Sequence, residues 1–148
     1  MKWLINNGLA TYDSSMDSSM EGAVLNGNIE NIKWLLENGL GHFDKRTLSC
    51  AAWNGDLKTM KWLKDANCAL GVASASAAEN GNLENMKWLF KNRCEFNAYT
   101  FNRAAENGTL ENMKWLKDNG CLFHKWTFEC AARNGNLENM KWLKDNGC

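Results

Sequence analysis

The sequence predicts an all-α fold built as a helix-turn-helix repeat solenoid. Three observations predict it. Tryptophan recurs inside a near-constant block, as Met1-Lys2-Trp3-Leu4, Ile32-Lys33-Trp34-Leu35, Met60-Lys61-Trp62-Leu63, Met86-Lys87-Trp88-Leu89, Met113-Lys114-Trp115-Leu116 and Met140-Lys141-Trp142-Leu143, at steps of 31, 28, 26, 27 and 27 residues. An Asn-Gly turn recurs between these blocks, at Asn26-Gly27, Asn54-Gly55, Asn80-Gly81, Asn107-Gly108 and Asn134-Gly135. A small pair stands just ahead of each turn: Ala23-Val24, Ala51-Ala52, Ala77-Ala78, Ala104-Ala105 and Ala131-Ala132. A fixed period of this length marks units that bury their apolar faces only by stacking on one another.

Each element of the unit follows from its residues. In the last copy, Trp126 to Arg133 reads as a short first helix. Thr127 is a plausible N-cap, and Phe128, Ala131 and Ala132 share one apolar face. Asn134-Gly135 ends it, since glycine tolerates the left-handed conformation at a helix end. Asn136 caps a second helix running from Leu137 to Asp145, and Asn146-Gly147 stops that one. The alanine pair lets helices approach closely. On the second helix Leu83, Met86 and Leu89 fall on one arc. Glu84–Lys87, Glu111–Lys114 and Glu138–Lys141 lie three apart on a solvated one. Trp88 projects sideways along the stack. It packs between units, or it forms part of an exposed aromatic ladder. Arg93 stands where Gly39, Gly120 and Gly147 end their helices, so either strain or a re-shaped helix end is expected there.

Three segments emerge: a half unit at residues 1–9, a polar linker at 10–19, and the repeat array at 20–148. The linker, rich in serine, reads as a loop or as a distorted first turn of the following helix. The array starts mid-unit and shows no polar capping unit at either end. That suggests a piece of a longer array or, as the alternative, end-to-end self-association.

Composition narrows the function. The 148 residues carry 17 Lys+Arg against 17 Asp+Glu, and the charges are interspersed. Nucleic acid and membrane surfaces both call for clustered basic charge, so neither is expected as a partner. No apolar run approaches the roughly 18 residues of a membrane span. Met1 to Leu9 lacks a signal-peptide pattern, so an intracellular, cytoplasmic location is expected. Cys68, Cys94, Cys121 and Cys148 recur at one place in successive units. Stacked helices sit roughly 8–10 Å apart, beyond the ~7 Å reach of a disulfide, so these are expected as free, buried thiols. His42 and His124 are not spaced from cysteine as zinc ligands, and no metal or cofactor is expected. Asn107-Gly108-Thr109 matches a glycosylation acceptor but reads more simply as a turn. No nucleophile–base set or phosphate-cradling loop appears, so no enzyme is expected.

The string Ala131-Ala132-Arg133-Asn134-Gly135-Asn136-Leu137-Glu138, followed by Leu143 and Asn146-Gly147-Cys148, resembles the ankyrin repeat. That family's pattern runs T-P-L-H-x-A-A-x-x-G-H-L-E, then an apolar second helix, then G-A. The resemblance covers about Met16 to Cys148 in five units. It is closer still to the short ankyrin-like repeats that large DNA viruses of amoebae encode. The units here are 26 to 28 residues where the family has about 33. The missing residues fall where ankyrins carry a β-hairpin finger, which is expected to be shortened or absent. T-P-L-H becomes Arg46-Thr47-Leu48-Ser49, Val72-Ala73-Ser74-Ala75, Tyr99-Thr100-Phe101-Asn102 and Trp126-Thr127-Phe128-Glu129.

The resemblance implies a non-catalytic protein-binding module. Its contacts would come from the variable positions of the first helices. Those after the small pair are Leu25, Trp53, Glu79, Glu106 and Arg133, and those entering the helix are Ser18, Arg46, Val72, Tyr99 and Trp126. Arg46, Trp53, Glu79, Tyr99, Glu106, Trp126 and Arg133 are the candidate partner-binding residues; Trp, Tyr and Arg are the types enriched at binding hot spots. His42, His124 and Lys125 lie in the connectors on this reading. The alternatives are a spacer in a longer array or a substrate-recruiting adaptor of a ubiquitin ligase. No F-box-like segment is present for the latter.

Overall fold

A computed structural model describes residues 14–148, with side-chain placement from Ser19 onward. The half unit at 1–9, including Trp3, and the opening of the linker lie outside the described residues. Ten α-helices follow one another, and no strand occurs among the described residues. They form five pairs. The first helix of each pair is α1 (Ser14–Leu25), α3 (Thr47–Trp53), α5 (Ala73–Asn80), α7 (Ala98–Asn107) or α9 (Lys125–Arg133). The second is α2 (Ile29–Glu37), α4 (Leu57–Asp65), α6 (Leu83–Lys91), α8 (Leu110–Asp118) or α10 (Leu137–Asp145). Of the two readings of the linker, its second half follows the helical one: Ser14 to Ser19 open α1.

The pairs pile up in chain order. Each odd-numbered helix packs chiefly on the odd-numbered helices of the adjoining pairs, and each even-numbered helix on its own partner. The small pair explains this. Ala51, Ala52, Ala77, Ala78, Ala104, Ala105 and Ala131 are fully buried, so neighbouring odd helices close without a side chain between them. Ala132 is exposed. The even helices complete the core with Ile32 and Leu35, Met60 and Leu63, Met86 and Leu89, Met113 and Leu116, and Leu143. Leu83 is only half-buried, and its counterpart Leu137 is exposed, so the apolar arc is narrower than expected.

Capping sets the helix ends. Asn28, Asp56, Asn82, Thr109 and Asn136 each accept a bond from the backbone N–H three residues on, at 3.0–3.2 Å. Thr127 is not the N-cap of α9, as its side-chain chemistry suggested. The helix starts earlier, at Lys125, which removes Lys125 from the connector. Thr127 is its third residue, where its hydroxyl accepts from the His124 N–H at 3.2 Å and donates to Asn102 Oδ1 at 2.7 Å. Thr100 accepts from Asn97 N–H in the same way, and Thr47 from Asp44 N–H. At the far ends, Arg93 takes the left-handed conformation, φ +62°, that Gly120 and Gly147 take at matching turns. Asn67 does so too, with φ +64°. The long Arg93 side chain has no advantage there, so the strain expected at this position is present.

The tryptophans settle between units. Trp62, Trp88, Trp115 and Trp142 are half-buried against the core. Trp115 takes Phe90 of the preceding pair and Phe96 of the connector edge-on, at 5.4 and 5.8 Å. Trp142 lies against Phe101 and Phe123, with Lys117 of the preceding pair over its ring. Phe43 meets Trp62 at 6.5 Å. The residues two beyond Trp88 and Trp115, Phe90 and Lys117, thus each cover the next tryptophan. The indoles are inter-unit packing with one flank in solvent. Of the tryptophans on the even helices, Trp34 is the most exposed.

The remaining expectations divide. The cysteines are all free. Burial pushes the Cys68 and Cys121 thiols up to about 11. Of the exposed Glu/Lys pairs, only Glu30–Lys33 closes, at 3.0 Å. Glu84–Lys87, Glu111–Lys114 and Glu138–Lys141 stay open, which suits long side chains in water.

Candidate functional site: one face of the odd-numbered helices

A helix brings residues i, i+4 and i+7 onto one face. Applied to the odd helices, this gives Arg46-Cys50-Trp53 along α3, Val72-Ser76-Glu79 along α5, Tyr99-Arg103-Glu106 on α7 and Trp126-Cys130-Arg133 on α9, with Arg46 and Val72 at the N-caps of their helices. On α1 it gives Gly22 and Leu25, with Ser18 in the part of that helix described by backbone alone. Because the odd helices adjoin one another, these triplets line up as a continuous face. Its large apolar members are out in solvent. Trp53 is 54%, Val72 61%, Tyr99 52% and Trp126 55% exposed, whereas Leu48 and Phe101 on the same helices are fully buried.

The face has two halves. Leu25, Arg46, Ser49, Cys50, Trp53, Val72 and Ser76 line an open groove of about 370 Å³, almost wholly apolar in its lining. Arg46 borders it and is held from outside, by Glu21 at 2.7 Å and Asp44 at 3.4 Å. Burial alone would raise the Asp44 carboxyl, but hydrogen bonds from Arg46 and Thr47 hold it below its usual value. Burial, with the nearby carboxylates of Glu21 and Asp44, pushes the Cys50 thiol up.

The second half is a charged cluster centred on Arg103. Its guanidinium donates to the Tyr99 hydroxyl from Nε and Nη2 at 3.1 and 2.9 Å, and to Glu106 Oε2 from Nη1 at 3.0 Å. Glu79 of the preceding pair lies 3.8 Å from Nε. Glu106 turns its other oxygen to Arg133 of the following pair, at 3.3 Å. Arg103 and Glu106 together therefore tie three adjacent helices, and the charges cancel within the cluster. Glu79, Tyr99, Glu106 and Arg133 are brought together in this way. Arg46 and Trp53 belong to the groove, and Trp126 stands apart at the far edge.

Pairing i with i+7 on this face overlooks the residue at i+4. Arg103 was legible only by adding the i+4 step. The asparagines of the Asn-Gly turns also do more than turn the chain. Asn54 Nδ2 donates to the Leu25 carbonyl at 2.7 Å, and Asn80 Nδ2 to the Trp53 carbonyl at 2.8 Å, each clamping its unit to the one before. The clamps hold the backbone beneath the exposed side chains.

Among the described residues, no group of three His, Cys, Asp or Glu side chains is placed to hold a metal ion. No described helix is long and apolar enough to cross a membrane. Comparison with protein-family models and with curated proteins finds no match.

Proposed function

We propose that the chain is an ankyrin-like solenoid with its hairpin fingers reduced to connectors. In this reading it works as an intracellular, non-catalytic module whose odd-helix face binds a protein partner. The observation that carries the reading is that four large exposed hydrophobic side chains, Trp53, Val72, Tyr99 and Trp126, share one face of the odd helices, whereas the exposed Phe90, Leu122 and Leu137 are scattered over other elements. Exposed apolar surface gathered in a patch is a mark of interaction sites, whereas single scattered residues are not. A partner would set an aliphatic or aromatic side chain into the groove between Leu25, Trp53 and Val72. Its polar groups would meet the Tyr99–Arg103–Glu106 cluster.

The rigid backing favours this use. A surface already ordered by the Asn54 and Asn80 clamps loses little conformational freedom on binding. The experiment is affinity capture with mass spectrometry, comparing wild type with a Trp53→Ala/Trp126→Ala variant. Both side chains lie largely in water, so the variant keeps its fold, checked by thermal melting. Proteins held by wild type and lost by the variant support binding. Identical captures from both would refute it and favour a spacer role.

A further inference from the structure

We infer that Asn134-Gly135 is a site of spontaneous covalent modification, at which the asparagine deamidates ahead of the other Asn-Gly turns described. Asn-Gly occurs nine times in the chain, at 7, 26, 38, 54, 80, 107, 119, 134 and 146. It is the dipeptide in which this reaction meets least steric resistance, because glycine has no side chain to shield its nitrogen. The glycine nitrogen gives up its proton and attacks Cγ of the asparagine. The side-chain amide leaves as ammonia and a succinimide ring closes. Water then opens the ring to aspartate or isoaspartate. No oxidant or further reactant is needed.

The fold ranks the turns. Asn38, Asn119 and Asn146 each have their side-chain amide tied to the carbonyl of Trp34, Trp115 or Trp142 at 2.8 Å. Asn54 and Asn80 are tied across the unit boundary, and Asn107 reaches Glu79 at 3.5 Å. Asn26 has no such tie, but the Asp56 carboxylate sits over Gly27, where a negative charge opposes loss of the glycine proton. Asn134 has no side-chain bond, in contrast to the backward clamps of Asn54 and Asn80. Nothing stands within 4 Å of where a Cβ on Gly135 would be. Among the described turns this one alone combines a free amide with an uncovered glycine.

Reaction still requires opening. Asn134 holds φ −80° and ψ −10°, and the Gly135 N–H is bonded to Ala132 O at 3.0 Å. The glycine nitrogen must leave that bond and swing toward the Cβ side before the ring can close. Local opening of this kind is easiest where packing is one-sided, and Ala132 beside the turn is exposed. The product bears on the binding face. A new carboxylate at 134 competes with Glu106 for Arg133, and an isoaspartate lengthens the backbone just ahead of the Asn136 cap.

The test is peptide mapping of the full chain after incubation at mildly alkaline pH, scoring aspartate and isoaspartate at each Asn-Gly, natively and in denaturant. An inter-unit clamp of ordinary net strength corresponds to about fivefold in the opening equilibrium. Asn134 is therefore expected to convert about fivefold or more faster than Asn54 and Asn80 in the native protein, with the order collapsing in denaturant. Native conversion of Asn54 or Asn80 at a rate matching Asn134 would overturn the inference. So would an order that persists in denaturant, or a native chain that stays intact at Asn134 while the denatured chain converts.

Discussion

Trp115→Ala separates inter-unit packing from a display role for the tryptophans. Trp115 is half-buried, and two phenylalanine edges meet its ring at 5.4 and 5.8 Å. A tryptophan buries about 150–250 Å², and roughly half of that at ~25 cal/mol per Å² is about 2–3 kcal/mol. The two ring pairs add about 0.5–1.5 kcal/mol each, so the expected loss is about 3–6 kcal/mol, overlapping the range for removing a large aromatic. At about 2–4 °C per kcal/mol for a chain of this size, the melting midpoint should fall by roughly 10 °C. Urea titration followed by circular dichroism gives the free energy. Trp126→Ala, on the exposed face, serves as the contrast and should cost less than about 1 kcal/mol. A loss below about 1 kcal/mol for Trp115→Ala as well would refute the packing argument, since it would mean the Phe90 and Phe96 contacts carry nothing.

Three further outcomes follow from named contacts. Arg93→Gly should stabilise by about 0.5–1 kcal/mol, because relief of the left-handed strain exceeds the added chain entropy of glycine; a drop in the urea midpoint would contradict this. Ala104→Leu should destabilise by about 1–3 kcal/mol through overpacking between α7 and its neighbours, and an unchanged midpoint would defeat it. Cys68 and Cys121 have thiols raised by burial from 9.0 to about 11. Below pH 9 both folded and unfolded thiols are protonated, so their contribution is fully present there. Above it the unfolded chain ionises first, and stability should decline between about pH 9 and 11. Urea midpoints across that range should fall less steeply in a Cys68→Ala/Cys121→Ala variant, and equal slopes would contradict the assignment.

Features set by a single unit were legible in the sequence. The Asn136 cap and the Asn-Gly stops depend on residues a few positions apart. Features set by the neighbouring unit were not. Nothing local distinguishes Asn54 as a donor to Leu25, because the carbonyl it meets is a whole unit away. Asn85, Asn112 and Asn139 belong to the same class. They occupy a polar position of the repeated motif yet are fully buried where one pair meets the next, and Asn139 Nδ2 reaches the Ala105 carbonyl at 3.3 Å. Arg103 was missed for a related reason. It differs from Cys50, Ser76 and Cys130 at the same step, and its meaning appears only when Glu79 and Glu106 come to lie on either side of it. Thr127 was misplaced by one turn because a threonine near a helix start is equally good as the cap or as the residue that answers the cap.

Site-specific photocrosslinking tests the binding face most directly. A photoreactive phenylalanine analogue is placed singly at position 53, at position 126, and at position 87 on the exposed side of α6. The account predicts adducts to one common protein from positions 53 and 126 and none from position 87. Adducts formed equally from position 87, or from that position alone, would contradict it.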